Sequence, residues 1–267
     1  MSLKFGFIGA GNMGGTLAMC VAKALGGENV FLADADTQKS QALAEKIGAK
    51  TVSNTEAVAI CDYIFLGVKP QVLPQVLKGL ADDIINSPKK PVLVSMAAGV
   101  SVDSVMSYLG KNWPVIRIMP NTPAVYGEGM ILYTQRGADE KVDGFLKAMS
   151  TAGKLDEIPE KLIDAASAVS GCGPAFAYMF IEALADGGVE CGLPFDKALE
   201  YAAQTVLGAA KMVRESGVHP EALKNAVCSP GGTTICGVHA LEKGAMRATA
   251  MNAVKAAYDK TLKLAGK

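Results

Sequence analysis

The apolar residues in the first half of the chain fall in short continuous runs and do not alternate with polar residues. Runs of this kind are typical of strands that are buried on both faces of a parallel sheet. Helical periodicity lies between the runs, as in Thr37–Ile47 and Gln71–Leu80. The pattern therefore predicts a doubly wound parallel sheet, an α/β fold. Its strands are predicted at residues 4–8, 29–34, 63–66, 91–96 and 114–119.

The pattern changes near Pro159, where the strands stop and an Ala-rich helical sequence begins. We therefore expect two domains, an α/β domain at 1–159 and an all-α domain at 160–267. Three further elements are predicted to complete the first domain, namely a strand at 129–134, a helix at 140–152 and a short strand at 155–158.

One predicted helix of the second domain, Ala175–Leu184, is apolar on nearly every side. Such a helix must be buried all round. A bundle of about a hundred residues has little interior in which to hide it. We therefore expect a second subunit to cover this helix, and the alternative is a helix wrapped entirely by its own chain.

Composition and charge exclude several classes of function. The chain has 26 basic and 26 acidic residues, so its charge does not favour a nucleic acid or an anionic membrane as partner. No basic-then-apolar signal segment is recognised, and no apolar run is expected to approach membrane-spanning length. The six cysteines are scattered without a C-x-x-C pair, which predicts reduced thiols and no metal site. These features favour a cytoplasmic protein.

The most informative segment follows the first strand and reads G-x-G-x-x-G over Gly9–Gly14. Gly9 allows a tight turn, Gly11 lets a pyrophosphate approach the backbone, and Gly14 lets the next helix pack close to the strand. Asp34 ends the second strand about twenty residues later, where the pattern expects a carboxylate for the ribose. The segment predicts a dinucleotide-binding Rossmann domain, and the alternative is a Rossmann-like fold that has lost its ligand.

Three more turns are predicted where this architecture places ligands, at the carboxyl ends of strands. They are Gly67–Pro70, Met96–Gly99 and Met119–Pro123. Their small residues and prolines suit backbone contact with a flat nicotinamide ring. A turn without a ligand is the alternative for each of them, but several at one sheet edge favour a cofactor cleft.

Two segments of the second half are rich in Gly and Pro, and each lies at the start of a predicted helix. They are Ser170–Pro174 and Ser229–Thr234. Free N–H groups at a helix start suit a carboxylate, and Ser229, Thr233 and Thr234 add hydroxyls. The alternative is that these hydroxyls only cap their helices.

Acid–base groups are scarce near these segments. His219 is expected to be solvated in a polar loop, and His239 is expected to pack within a helix. No Ser–His–Asp arrangement can be argued. A dehydrogenase built this way suits a substrate that needs little general acid. A protonated imine fits, because it already carries the charge that attracts hydride.

The chain resembles the pyrroline-5-carboxylate reductase family along its whole length. Seven segments carry the resemblance: Phe7–Met13, Gly67–Gln71, Ser95–Val100, Arg117–Pro123, Ser170–Phe176, Ala183–Val189 and Ser229–Thr234. The resemblance implies hydride transfer from NADPH or NADH to the C=N carbon of L-1-pyrroline-5-carboxylate, which gives L-proline. It also implies that the helical domains of two subunits interlock in a homodimer, and it leaves open a decamer as a larger assembly.

The same resemblance assigns the site residues. Thr234 is expected to hydrogen-bond the ring nitrogen as the catalytic residue, and Ser229, Gly231, Gly232, Thr233 and Thr234 are expected to bind the substrate. The expected cofactor-binding residues are Ile8, Gly9, Ala10, Gly11, Asn12, Met13, Asp34, Asn54, Gly67, Val68, Lys69, Pro70, Met96, Ala97 and Ala98.

Two positions depart from the family pattern. Cys172 stands where many members have Ser, and its thiol is a weak hydrogen-bond donor. Asp34 stands where members that favour NADPH tend to have Ser, Asn or Arg. A carboxylate there repels a 2′-phosphate and binds a ribose diol, which favours NADH, so the choice between the two cofactors stays open. Lys39 and Asn54 are expected to help bind the adenosine end.

Two rival functions remain. A β-hydroxyacid dehydrogenase shares the domain plan but needs a catalytic Lys on the first helix of the second domain. The residues after Gly173, Pro174–Tyr178, contain none. A non-catalytic dinucleotide sensor would bind nucleotide without reducing an imine, and the intact Ser229–Thr234 segment argues against it.

Overall fold

The computed structural model describes residues 2–264, which divide into two compact units. The first unit contains residues 2–172 and 257–264, and the second contains 173–256. Eight strands lie in the first unit: β1 (Phe5–Ile8), β2 (Val30–Ala33), β3 (Lys50–Thr51), β4 (Tyr63–Leu66), β5 (Val92–Ser95), β6 (Val115–Met119), β7 (Gly129–Arg136) and β8 (Gly153–Glu157).

Helices surround the sheet and make up the whole second unit. The helices up to the end of the first unit are α1 (Asn12–Leu25), α2 (Thr37–Ile47), α3 (Asn54–Ile60), α4 (Leu73–Asn86), α5 (Val102–Leu109), α6 (Val142–Ala148) and α7 (Glu160–Ser170). They are followed by α8 (Gly173–Glu190), α9 (Phe195–Ser216), α10 (Pro220–Ala226), α11 (Thr233–Lys243) and α12 (Met246–Leu264). Short 3₁₀ turns lie at Gly27–Asn29, Thr122–Tyr126 and Asp139–Lys141.

The strands form one sheet in the order β3-β2-β1-β4-β5-β6-β7-β8. Every neighbouring pair is parallel except β6 and β7, which are antiparallel. The chain between β6 and β7 is a short 3₁₀ turn, too short for the crossover that a parallel pair requires. The doubly wound α/β fold is therefore confirmed, and the strand that extends it runs antiparallel to its neighbour.

Each face of the sheet buries its own core. Phe7 and Phe65 stack on one face with ring centroids 4.5 Å apart, in a cluster shared with α1 and α6. On the other face, Ile64 and Leu93 pack against α3, α4 and α5. Every residue of β1, β2, β4, β5 and β6 is buried, which explains the continuous apolar runs of these strands.

Several predicted boundaries differ from the structure. Helix α4 extends past the predicted end at residue 80, because the buried spacing of Leu73, Leu77 and Leu80 continues to Ile84. Helix α6 is shorter than predicted, since Ser150–Thr151 form a turn and the Thr151 hydroxyl donates to the Cys20 carbonyl at 2.7 Å. The two-residue strand β3 has too weak a pattern to be predicted from the sequence.

Helix α7 lies with the sheet, although the predicted boundary places it in the second domain. Its Ile163 is fully buried and packs against Met119 of β6 and Leu132 of β7. The contacts of the chain divide it after Cys172 and not after residue 159. The all-helical part of the sequence thus starts at residue 160 with α7, whereas the second compact unit starts at Gly173 with α8.

The second unit has almost no interior of its own. Its buried hydrophobic cluster contains only Ala185, Ala198 and Ala202 among the described residues. On α8, Tyr178 is 58% exposed and Met179 is 69% exposed. The chain does not wrap its own apolar helix, so the alternative in which it does so is wrong, and a surface this apolar favours contact with a second copy.

One described helical stretch, Glu160–Glu190, is long and apolar enough to cross a membrane by length and composition. Its most apolar window has a mean hydropathy of 1.3, and 11% of that window is buried. This finding corrects the expectation that no apolar run approaches such a length, because alanines raise the mean hydropathy without forming a run of large side chains. One such helix is weak evidence for a membrane, since helices of soluble proteins pass the same test.

We predict that Met179→Glu breaks the assembly of this protein. The side chain is mostly exposed in a single chain, so the fold of one chain should tolerate the carboxylate. An unpaired charge buried between subunits costs several kcal/mol. Light scattering should give a dimer or larger species for the wild type and monomer or aggregate for the variant. Leu3→Glu, at a 40% exposed position of the first unit, is the control and should assemble normally. A wild type that stays monomeric at low micromolar concentration would contradict the prediction.

Candidate functional site

Three glycines bring the backbones of β1, α1 and β4 into direct contact. Gly9 follows β1 with a φ of +96°, which favours glycine. A Cβ on Gly14 would overlap the carbonyl oxygen of Gly9, and a Cβ on Gly67 would overlap the same oxygen. The turn after β1 therefore needs glycine at all three positions, two of them in the predicted motif and one in the turn after β4.

Gly11 has a different environment. A Cβ on Gly11 would meet no atom within 4 Å, and its φ of −63° is open to any residue. Gly11 is the N-cap of α1 and makes no side-chain cap hydrogen bond. The start of α1 thus presents backbone N–H groups and the positive end of the helix dipole beside open space, an arrangement that suits a phosphate group.

Asp34 lies directly after β2 and bonds to the glycine turn. Its Oδ2 accepts a hydrogen bond from the backbone N of Ala10 at 2.6 Å, and its Oδ1 accepts one from the backbone N of Asp36 at 2.9 Å. The side chain is half-buried. A carboxylate has about four acceptor positions, so these two bonds leave capacity for hydroxyl donors.

Lys39 and Asn54 lie in the first turns of α2 and α3, next to the β2 side of the sheet. Helix α2 is capped by Asp36, which accepts from the backbone N of Lys39 at 3.1 Å. Helix α3 is capped by a reciprocal pair of bonds between Ser53 and Glu56. The bonds from Ser53 lower the pKa of the Glu56 carboxyl. These caps fix where both helices start and hence where Lys39 and Asn54 lie.

The turns after β4 and β5 lie at the same edge of the sheet as the glycine turn, because all three strands are parallel. The carbonyl of Lys69 accepts from Val72 N at 2.9 Å, and the carbonyl of Ala97 accepts from Val100 N at 3.3 Å. Ala97 is buried, while Lys69 and Ala98 are exposed. A cavity of about 350 Å³ borders both turns and is lined by Pro70, Gln71, Ala98, Gly99, Val100, Ser104, Tyr108 and Leu264.

The turn after β6 has a structural role that the sequence did not reveal. Asn121 is 8% exposed, and its side chain donates to the Ser170 carbonyl and accepts from Met130 N. Arg117 is 3% exposed and pairs with Asp164 and Glu160 of α7. A signal was present, since an arginine in the middle of an otherwise apolar strand needs a buried partner.

Ser229–Thr234 forms a turn that opens α11. The backbone N of Gly232 donates to the Ser229 carbonyl at 3.0 Å, and Gly231 has a φ of +68°. Pro230 followed by a glycine at positive φ is the residue pattern of a type II turn. Gly232 is the N-cap of α11 and makes no side-chain cap bond.

The hydroxyls of Ser229, Thr233 and Thr234 are exposed and have no hydrogen-bond partner among residues 2–264. They do not cap α11, so the capping interpretation fails for this helix. The start of α11 offers unpaired N–H groups together with free hydroxyls, which is what a carboxylate ligand requires.

Ser170–Pro174 is a less open segment. The Ser170 hydroxyl donates to the Ala166 carbonyl at 3.2 Å, and the backbone N of Cys172 donates to Ser167. Ser170 therefore completes α7, and Cys172 is half-buried in the turn before α8.

The remaining titratable candidates are explained by local structure. His219 caps α10, since its Nδ1 accepts from the backbone N of Glu221 at 3.2 Å, which corrects the expectation of a merely solvated side chain. His239 is exposed on α11 and is not packed within the chain. Burial raises the pKa of the Cys61 thiol to about 12, which leaves it protonated and unreactive.

Two family models match parts of the chain. The model described as pyrroline-5-carboxylate reductase dimerisation matches residues 160–264. The model described as NADP oxidoreductase coenzyme F420-dependent matches residues 4–99. The turns after β1, β2, β4 and β5 lie in the second match, and the Ser229–Thr234 turn lies in the first.

Similar proteins occur in distant organisms. The chain is 42% identical to pyrroline-5-carboxylate reductase 3 of Danio rerio, over 99% of this chain and 92% of that one. It is 43% identical to pyrroline-5-carboxylate reductase of Arabidopsis thaliana, over 98% and 96%.

Two solved structures of reductases have the same fold. The Plasmodium falciparum pyrroline carboxylate reductase with NADP bound has a TM-score of 0.88 and 33% identity, with 99% of this chain and 98% of that one covered. The pyrroline-5-carboxylate reductase of Coxiella burnetii also has a TM-score of 0.88, with 30% identity and 99% of both chains covered.

We predict that Gly11→Val abolishes binding of a dinucleotide without unfolding the chain. The new side chain has room in the protein but occupies the space that a pyrophosphate would take. Affinity for NADPH and NADH, measured by calorimetry, should fall by at least about a hundredfold, or about 2.7 kcal/mol. Circular dichroism should be unchanged. Gly79→Val, on α4 where a Cβ also meets nothing within 4 Å, is the control and should bind normally. Equal affinities of the two variants would remove Gly11 from the site.

Proposed function

The chain belongs to the pyrroline-5-carboxylate reductase family and reduces L-1-pyrroline-5-carboxylate to L-proline with NAD(P)H, the last step of proline biosynthesis, and we propose which of its residues do this. One observation carries the assignment. Helices α1 and α11 both have a glycine as the N-cap residue, Gly11 and Gly232, so no N-cap side chain occupies the N–H groups of the first turn. We assign the first helix start to the cofactor pyrophosphate and the second to the substrate carboxylate, because each offers N–H groups to an anion.

The carboxyl edge of the sheet fits a dinucleotide. The open space beside Gly11 is the cradle that a Cβ would fill. We assign the pyrophosphate end to Ile8–Met13, the adenosine ribose to Asp34 with Asn54 near it, and the nicotinamide end to Gly67–Pro70 and Met96–Ala98. When bound, the nicotinamide supplies the hydride. The chain's own part is to hold the ring by backbone contacts with small residues.

The turn Ser229–Thr234, which we call the substrate turn, needs only to hold and polarise an imine. The backbone N–H groups of Gly231 and Thr233 and the hydroxyls of Ser229 and Thr233 bind the carboxylate, while Gly232 N closes the turn by its bond to the Ser229 carbonyl. The Thr234 hydroxyl bonds the ring nitrogen and stabilises it as its charge changes. No group with an acid–base role is required, since a protonated imine already attracts hydride.

The chain also associates with itself, as its dimerisation domain indicates. We propose that two copies interlock through the exposed apolar surface of α8 and that each copy completes the other's substrate site. Rings of dimers, up to a decamer, are the larger assembly that we propose. The proposed setting is the cytoplasm, with a small-molecule substrate and without a nucleic acid or membrane partner.

We predict that Asp34→Asn shifts the cofactor preference toward NADPH. Asn keeps an acceptor for the Ala10 amide and removes the charge that repels a 2′-phosphate. The relief is on the order of 1–2 kcal/mol, so the ratio of kcat/KM for NADPH over NADH should rise roughly 5- to 30-fold.

Both cofactors are assayed with and without pyrroline-5-carboxylate, so the same measurement tests the reaction. Wild-type protein that binds nucleotide but reduces no imine would be a sensor and not a reductase. Asp36→Asn is the control, because it removes a nearby carboxylate and keeps an N-cap residue for α2. If the ratio moves equally in both variants, Asp34 does not face the ribose.

We predict that Thr234→Val lowers kcat/KM for the imine about ten- to a hundredfold. The change keeps the shape and removes one hydrogen bond to a charged group, which costs about 1.5–3 kcal/mol. Cofactor affinity and melting temperature should hold. Thr249→Val is the control, because among the described residues the Thr249 hydroxyl bonds only the carbonyl of Ala245, directly before the start of α12. Normal kinetics with a lower melting temperature would make Thr234 a structural residue.

A further inference from the structure

Arg117–Pro123 belongs to the segments that carry the family resemblance, yet none of its side chains enters the site described above. Its two polar buried residues both bond α7. Arg117 Nη2 lies 2.8 Å from Asp164 Oδ1, and Asn121 Nδ2 donates to the Ser170 carbonyl at 2.8 Å. These contacts hold α7 to the sheet both one turn after its start and at its last residue. The first residue of α7, Glu160, is thereby held in place.

One carboxylate oxygen of Glu160 joins strand β6 to the start of helix α5. Its Oε1 lies 3.2 Å from Arg117 Nη1 and accepts a hydrogen bond from the backbone N of Val102 at 2.7 Å. Val102 is the first residue of α5, directly after the turn Met96–Ser101. The carboxylate also lies where the dipole of α5 favours a negative charge. A chain of contacts thus runs from β6 through α7 to the turn that ends β5.

The charges show that Glu160 does more than neutralise Arg117. Asp164 is 4% exposed and already forms a buried ion pair with the guanidinium. Glu160 adds a second carboxylate to that pair, with its side chain 26% exposed. Its Oε2 also lies 3.9 Å from Arg136 Nη2, a guanidinium that pairs with Asp103 as well. The bond from Val102 N is therefore what Glu160 adds to these ion pairs, because it reaches the backbone of α5.

We propose that Glu160 is a positioning residue for the Met96–Ala98 turn and, through that turn, for the nicotinamide cofactor. The proposal rests on the proposed function only for the cofactor role of the turn. Arg117 holds the Glu160 carboxylate, and Glu160 holds the start of α5. The first residue matched by the dimerisation family is therefore bonded to the edge of the sheet that we assign to the cofactor.

The test compares Glu160→Ala, Glu160→Gln and Asp103→Ala. Gln keeps an acceptor for Val102 N, whereas Ala removes it. Asp103 lies in the same first turn of α5 and pairs with Arg136, but it does not bond the backbone of the turn. Both Asp103 and Glu160 contact the Arg136 guanidinium, so Asp103→Ala removes a carboxylate from that group and leaves the bond to Val102 N in place. Arg117 itself is a poor choice, because its loss also removes the guanidinium that pairs with the buried carboxylate of Asp164.

Hydrogen exchange of residues 96–104 without cofactor should be faster in Glu160→Ala than in the wild type. The Kd for NADPH and NADH should rise roughly three- to tenfold, less than for loss of a direct contact, because the effect passes through a helix start. KM for the cofactor should rise with it, while kcat at saturating cofactor stays within about twofold. Glu160→Gln should recover most of the affinity, and Asp103→Ala should match the wild type.

The proposal is overturned if Glu160→Ala lowers only the melting temperature and leaves exchange at 96–104 and both Kd values unchanged. It is also overturned if Asp103→Ala has the same effect as Glu160→Ala. Wild-type protein that binds nucleotide without reducing pyrroline-5-carboxylate would refute the proposed function alone, because exchange and Kd test Glu160 without the reaction.

Discussion

The close approach of three glycine backbones determines the shape of the sheet edge that we assign to the cofactor. Gly14 and Gly67 both lie against the carbonyl of Gly9, and no side chain fits at either position. Hydrogen bonds continue from the strands into this turn, since Gly9 N donates to the Ala33 carbonyl and Gly67 N donates to the Ile8 carbonyl, both at 2.8 Å. Backbone contacts and bonds therefore fix the start of α1 to the sheet, and the Asp34 side chain supports the same turn through its bond to Ala10 N.

The second unit is organised by a different constraint. Its own core is three alanines, and large apolar side chains such as Met179 remain exposed in a single chain. Small side chains let helices approach closely but bury little area, so such a unit gains most of its stability from a partner. We propose that the substrate turn belongs to this unit for the same reason, because the turn is then completed only when two copies have assembled.

Most of the fold could be predicted from local sequence patterns, because each fully buried strand is a continuous apolar run. The strand at 63–66 and the helix Thr37–Ile47 match the structure to the residue. What could not be read depends on contacts between residues far apart in sequence. The bond between Asp34 and Ala10 links residues 24 positions apart, and the pair of Arg117 and Asp164 links residues 47 apart. The motifs of the site were recognisable for the same reason as the strands, because each is one short segment. The contacts that hold these segments in place join residues far apart in sequence, so the sequence pattern does not show them.

The proposed reaction explains why buried polar contacts matter in a site without acid–base groups. When a substrate already carries the charge that attracts hydride, the protein contributes chiefly by holding two ligands in the right geometry. Apolar packing alone fixes position less strictly than directional bonds do. Arg117, Asp164 and Asn121 are all buried, and a buried ion pair is often no more stable than apolar residues of similar volume. We therefore infer that these residues contribute orientation: they fix α7 on the sheet, and through Glu160 they fix the turn that is to hold the nicotinamide ring.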